Sequence, residues 1–178
     1  MEKNIAYSNL LSKADIMLDD AVAKLSDLII LNKKIKQDNI QKDYHEQILS
    51  INANVPTADL SSYLHFMNSI LQKQLQFDIK LKELSSIVNT VLLYCLQVMN
   101  YSIDDVTINL NNKTQSKELF YKTIEFIESH KLNSRIDFNS ILPIIVELDI
   151  KVAEADNVNK RNIQNRITKL KKTIFKND

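Results

Sequence analysis

The chain has 178 residues, with 23 lysines and arginines against 22 aspartates and glutamates, and it contains no glycine. Phosphate-binding loops, dinucleotide-binding fingerprints, nucleophile elbows and EF-hand loops need glycine for positive φ or close backbone approach, so their usual forms are excluded. The balanced charge and the 44% hydrophobic content predict a single folded domain, 1–178, and do not indicate a general nucleic-acid binder.

With two prolines and no glycine, few residues can break a helix, and the apolar spacing predicts long helices. The first predicted helix, about 4–50, carries a heptad seam that alternates at four and three residues. The seam consists of Tyr7, Leu11, Ala14, Leu18, Ala21, Leu25, Leu28, Asn32 and Ile35. Val22 and Ile29 lie beside this seam, so we expect them to pack on a further neighbour.

The second predicted helix, about 58–100, follows a break at Pro56 and has a seam of the same spacing, in which Gln74 is the one polar member. The seam consists of Tyr63, Met67, Ile70, Gln74, Phe77, Leu81, Leu84, Val88, Val91, Cys95 and Val98. Apolar residues surround the helix over 87–99, which predicts burial on most sides. Asn32 and Gln74 either fix register or oligomeric state, or lie at a seam edge and reach water.

Residues 101–115 lack helical periodicity and are predicted to form a loop, after which Ser116 caps a short helix, about 116–131. The last predicted helix, about 140–176, has Pro143 in its first turn, where a missing N–H is tolerated. The predicted fold is all-α, an elongated antiparallel helical bundle or coiled coil of three long helices and one short helix.

Few residues suggest chemistry. His45, His65 and His130 lack the spacing of metal ligands. Cys95 lies at a core position of the second seam, which favours a small buried hydrophobe over a nucleophile. We therefore predict no enzyme activity, no catalytic or metal-binding residues and no cofactor.

The N-terminal residues lack the apolar segment of a signal peptide. The longest apolar run, 87–99, is shorter than the roughly 20 residues that a transmembrane helix needs. We predict a cytoplasmic protein that can lie at the inner face of the membrane.

Charge is distributed unevenly, because 160–178 has a net charge of +6 whereas 1–159 has −5. The cations are Lys160, Arg161, Arg166, Lys169, Lys171, Lys172 and Lys176. The apolar residues among them are Ile163, Ile167, Leu170, Ile174 and Phe175. Their spacing predicts a basic amphipathic helix that contacts an anionic membrane surface or a protein partner.

A second interpretation makes this a bundle helix whose apolar face is already covered and whose cations are solvated and complement the helix dipole. Nucleic acid is the least expected partner, because a recognition helix needs polar side chains aimed at base edges. Binding to phosphates without sequence specificity stays open.

The stretch 10–32 reads LLSKADIMLDDAVAKLSDLIILN. With the length, composition and helical character of the chain, it resembles the haemolysin accessory proteins (BlyB) of Borrelia plasmid prophages. This resemblance implies a non-enzymatic accessory to a small membrane-inserted, holin-like partner in a phage lysis system.

Long seams favour homo-oligomers, because an isolated bundle need not extend regular heptads so far. We therefore predict a helical interaction or scaffold protein that associates with itself and with another protein, a small membrane protein if the resemblance holds. The alternative is a nucleic-acid-associated regulator that uses the basic C-terminal helix.

Overall fold

A computed structural model describes residues 2–51, 57–104, 108–155 and 160–175. Of these residues 94% are helical and none is in a strand, which confirms the all-α helical bundle class. The helices are α1 (Glu2–Ile51), α2 (Thr57–Asp104), α3 (Leu110–Ser129), α4 (Leu142–Glu154) and α5 (Lys160–Ile174). Two short 3₁₀ helices, Leu132–Ser134 and Asn139–Ile141, lie between α3 and α4.

The chain divides into two compact units. The five-helix unit comprises Met1–Ala21 and Leu84–Asp178, and the two-helix unit comprises Val22–Glu83. Helices α1 and α2 contribute to both. The single domain of 1–178 stays a prediction.

The core of the five-helix unit surrounds the last part of α2. Every residue over 87–100 is buried or half-buried, which confirms the predicted burial on most sides. Leu92, Leu96 and Val88 have no exposed surface, and Phe120 of α3 and Leu148 of α4 are equally buried. A helix this apolar is stable only when neighbours cover it all round. Contacts come from α1, where Tyr7 packs on Tyr101, from α3, where Ser116 donates to the Cys95 carbonyl, and from α4, where Glu147 accepts from Asn100.

The predicted loop over 101–115 is wrong at both ends. Helix α2 continues to Asp104, and α3 begins at Leu110 rather than at Ser116. Asn109 caps α3, because its side chain accepts a hydrogen bond from the Asn112 backbone N–H at 2.8 Å. The Asn112 side chain donates to the backbone carbonyl of Asn4 in α1 at 2.8 Å, so asparagines rather than apolar residues fix this end of the helix.

The single last helix predicted over 140–176 is also wrong, since α4 ends at Glu154 and α5 begins at Lys160. Helices α4 and α5 pack against each other, and Lys171 of α5 contacts Asp149 of α4. The structure therefore has two long and three shorter helices instead of three long and one short. Pro143 does lie in the first turn of α4, as predicted.

The two-helix unit is an antiparallel pair that polar contacts hold in register. Lys24 of α1 pairs with Glu83 of α2, whereas Glu46, further along α1, accepts from Tyr63, which comes earlier in α2. The two helices therefore run in opposite directions. Between these ends, Asp38 accepts from Lys73 at 2.5 Å. The apolar core of this unit is small and centres on Leu31, Ile35 and Ile70, with Phe77 packed against it.

Candidate interaction surface

A row of exposed apolar residues follows α2 beside its buried seam. They recur at spacings of three or four residues, so they share one side of the helix. The row consists of Leu60, Leu64, Met67, Leu71, Leu75 and Ile79, with exposed fractions of 36% to 64%. The predicted seam included only Met67 of these residues, although the helical spacing of the others was visible in the sequence.

A second exposed row follows α1 in the same unit. It consists of Val22, Ile29, Ile40, Tyr44 and Ile51, with exposed fractions of 47% to 85%. The further neighbour expected for Val22 and Ile29 is not found among the described residues, since both are about half exposed. Their apolar surface is left without a covering helix in the described part of the chain.

Helix geometry places both rows on one side of the pair. At 3.6 residues per turn, each row winds from beside the buried seam, at Met67 and Val22, towards the outer side of its helix, at Ile79 and Ile51, in the direction of increasing residue number. In an antiparallel pair, equal rotations seen from each N-terminus point to the same side. The eleven residues of the two rows are here called the apolar face.

A groove of about 300 Å³ lies between the two rows. Asn32 of α1 and Gln74 of α2 both line it, together with Ile35, Phe77 and Asp78. Asn32 is half-buried and Gln74 is exposed. The structure thus brings together the two polar seam residues of the sequence prediction, at the centre of the apolar face. Their role in register stays a prediction.

The apolar face is large for the surface of a monomer. Eleven large apolar residues, about half exposed, present on the order of 1,000 Å², whereas monomers seldom expose apolar patches above a few hundred Å². A protein–protein interface of standard size buries about 800 Å² on each partner. The apolar face is therefore large enough for a stable dimer.

The apolar residues predicted as contacts in the C-terminal segment lie mostly inside the protein. Ile163, Ile167, Leu170 and Ile174 are at most 6% exposed, because their side of α5 packs into the five-helix unit. They are not available to a membrane or a partner in this fold. Phe175, with 54% of its surface exposed, is the exception.

The predicted contact cations have different surroundings. Lys169 donates to Glu128 of α3 at 2.9 Å, and Lys171 contacts Asp149 of α4, so both engage carboxylates of the same unit. Arg166 is half-buried, whereas Arg161 and Lys172 are exposed.

The first and last cations of the basic segment are Lys160 and Lys176. Lys160 is half-buried, and Lys176 lies outside the described residues. The surface with unpaired cations is smaller than the +6 of the sequence segment indicates. The interpretation of α5 as a bundle helix accounts for its buried apolar side.

The burial of Cys95 decides whether its thiol can act as a nucleophile. Cys95 is fully buried, and burial raises the pKa of its thiol to about 12, so it is a core residue and not an activated nucleophile.

Within the described residues one helix, Asp59–Ile103, is long and apolar enough to cross a bilayer, with a mean hydropathy of 1.2 over its most apolar window. Half of that window is buried inside the protein.

No family model, no curated protein and no solved structure matches this chain.

Proposed function

We propose that the protein works by contact rather than catalysis and associates with itself, two copies pairing through the apolar faces of their two-helix units. The observation that carries this proposal is the size of the apolar face. Two antiparallel helix pairs placed face to face would make a four-helix bundle, an arrangement that buries both apolar faces at once.

The chemistry of the groove favours a second copy as the occupant. An amide carries both a donor and an acceptor, so Asn32 and Gln74 can pair with the same residues of another copy across a two-fold axis. Asp78 also lines the groove, at an exposed position, so this pairing requires that its carboxylate stay in water. Residues 22–83 contain eight lysines and seven acidic residues, so two copies of this unit do not repel each other strongly.

Light scattering on the purified full chain tests the proposal. We expect a mass of twice 20.6 kDa. The variant Leu71→Asp should be monomeric under the same conditions, because dimerisation would bury two unpaired carboxylates, and we expect an affinity at least 100-fold lower.

Ile150→Asp is the matched control, because Ile150 is 55% exposed against 57% for Leu71 but lies on α4, outside the apolar face. This variant should remain dimeric. A monomeric wild-type protein, or a dimer that survives Leu71→Asp, would contradict the proposal.

We propose in addition, from the resemblance to the prophage accessory proteins, that the dimer meets a holin-like membrane protein at the inner face of the cytoplasmic membrane. The exposed side of α5, with Arg161 in its first turn, Lys172 in its last turn and Phe175 directly after it, supports a contact with an anionic surface. The nucleic-acid alternative would use the same cations and gains no separate support.

Co-sedimentation with anionic and neutral vesicles tests this second contact. The full chain should sediment with anionic vesicles only, and salt should weaken the binding. The double variant Arg161→Glu, Lys172→Glu should stay in solution, whereas removal of α5 is unsuitable because it exposes the core. Equal sedimentation of both proteins would argue against α5 as the contact.

A further inference from the structure

The five-helix unit contains a cavity of about 230 Å³ that is separate from the apolar face. Residues of α2, α3 and α5 line it, close to the C-terminal end of α2 and the N-terminal ends of the other two helices. Its lining includes the cations Lys113, Lys117 and Arg166, and no carboxylate among the described residues.

Arg166 is the most unusual of these residues. Its Nε atom is buried and has no hydrogen-bond partner among the described residues, and burial lowers the pKa of the guanidinium. The neighbours that act on that pKa are Tyr121 and Cys95, neither of which is a carboxylate. A guanidinium taken out of water without an anion is costly, and a bound oxyanion would supply both the charge and the acceptors.

Lys113 and Lys117 are one helical turn apart on α3, and both reach the same cavity. Neither contacts a carboxylate in the part of the chain that the structure describes. Like charges at this spacing destabilise a helix, and an anion between them would remove that repulsion. Within the described residues, three cations thus line one small space with no carboxylate among its lining.

The remaining lining separates into a polar and an apolar part. The hydroxyls of Ser102 and Ser116 already donate to backbone carbonyls, so the amide of Asn162 and the hydroxyl of Thr114 are the better donors for a ligand. Val98, Met99, Leu110 and Ile163 also line the cavity, and they offer only apolar surface. A free inorganic ion would leave that apolar part unfilled.

We propose that this cavity binds a small amphipathic oxyanion, whose carboxylate or phosphate head pairs with Arg166 between Lys113 and Lys117 and whose short hydrocarbon body packs on the apolar lining. The cavity is smaller than the roughly 300–1,000 Å³ of sites for drug-sized ligands, so the ligand has the size of a small metabolite. The planar fork of arginine suits both kinds of head group.

Isothermal titration calorimetry on the full chain tests the proposal with four probes: hexanoate, hexyl phosphate, inorganic phosphate and hexanol. We expect the two amphipathic anions to bind at least tenfold more tightly than inorganic phosphate or hexanol. Whichever of the two anions binds more tightly identifies the head group. Binding of hexanol as tight as that of hexanoate, or of inorganic phosphate as tight as that of hexyl phosphate, would overturn the proposal.

Arg166→Met is the decisive variant, because methionine keeps most of the side-chain volume and removes the charge. It should bind the anions at least tenfold more weakly, whereas the control Arg161→Met, at an exposed position of the same helix, should bind like the wild type. If Arg166→Met fails to fold, Lys117→Gln at the exposed rim of the cavity replaces it, and an unchanged affinity in that variant would overturn the proposal.

Discussion

The two units use the same heptad spacing but bury it to different extents. In the five-helix unit the seam residues Leu84, Val88, Val91 and Cys95 have no exposed surface. In the two-helix unit Met67 of the same seam is 36% exposed and Gln74 is exposed. Among the described residues, twelve of the twenty exposed large hydrophobic residues fall in the two-helix unit, although it holds only about a third of the chain.

This difference shows that the heptad seam of a helix gives the direction of one packing contact, but not the number of helices that pack around it. A helix that packs on one partner needs one apolar stripe, and a helix inside a bundle needs apolar residues on several sides. The first part of α2 has a second stripe, Leu60 to Ile79, but no second partner within its unit. Such a stripe predicts a contact that the single chain does not supply.

The largest effect on stability is expected from a substitution in the core of the five-helix unit. Val88→Asp places an unpaired carboxylate at a fully buried position, and we expect a loss of about 4 kcal/mol or more in the free energy of unfolding, enough to abolish the folded state. Circular dichroism at 222 nm should show the loss of helix in the five-helix unit.

Leu75→Asp is the comparison variant on the same helix, at a position that is 64% exposed. Measured at a concentration where the chain is monomeric, it should keep its helical signal and change the free energy of unfolding by about 0.5 kcal/mol or less. Equal loss of structure in the two variants would mean that the apolar face is covered within the monomer.

A smaller effect is expected at the end of α3, where Lys131 has a positive φ of 52°. Glycine usually occupies such a position, because a Cβ atom there is sterically unfavourable. Lys131→Gly should stabilise the five-helix unit by about 1 kcal/mol, which raises Tm by about 2–4 °C in a chain of this size. Lys131→Ala keeps the Cβ atom and should give no comparable gain; equal gains in both variants would exclude backbone strain as the cause.

The smallest effect concerns pH and the two-helix unit. The hydrogen bond from Lys73 lowers the pKa of Asp38 below its ordinary 3.8. The pair therefore stabilises the folded state above that ordinary value, and this contribution is lost as the pH falls through the lower, folded-state pKa.

Asp38→Asn should reduce the free energy of unfolding at pH 7 by about 0.5–1 kcal/mol and flatten its decline in acid. Urea unfolding between pH 7 and 2 measures both changes. Asp43→Asn, at an exposed position of the same helix, serves as the control. A variant of Asp38 with the acid dependence of the wild type would show that the ion pair contributes nothing.

The sequence was sufficient to predict the all-α class, the positions of α1 and α2 and nearly all of their buried seam residues, because long periodic apolar patterns specify helices directly. The start of α3 was missed because its first turns are fixed by Asn109 and Asn112, which apolar periodicity does not detect. The separation of α4 from α5 was missed because the apolar spacing before Ala155 resumes at Ile163, and the irregular spacing around Asn159 was interpreted as a local change of supercoil within one helix.

Part of the candidate site was equally hard to foresee. Pattern alone cannot tell whether an amphipathic helix covers its own core or another molecule, so Ile163 and Ile167 were predicted to be contacts but are buried. The spacing of the second stripe on α2 was readable in the sequence, but only the structure shows that the chain leaves it uncovered. The cavity around Arg166 forms where α5 meets the ends of α2 and α3, which are distant from it in sequence.

The single cysteine, Cys95, makes it possible to measure how often the five-helix unit opens. Because Cys95 is fully buried and its thiol has a pKa of about 12, a thiol reagent reaches it only in molecules whose five-helix unit has transiently opened. Since the two-helix unit contains no cysteine, the labelling rate reports on one unit alone. The time course of a single modification, read by mass spectrometry on the unaltered protein, therefore gives the frequency at which its core is exposed to solvent.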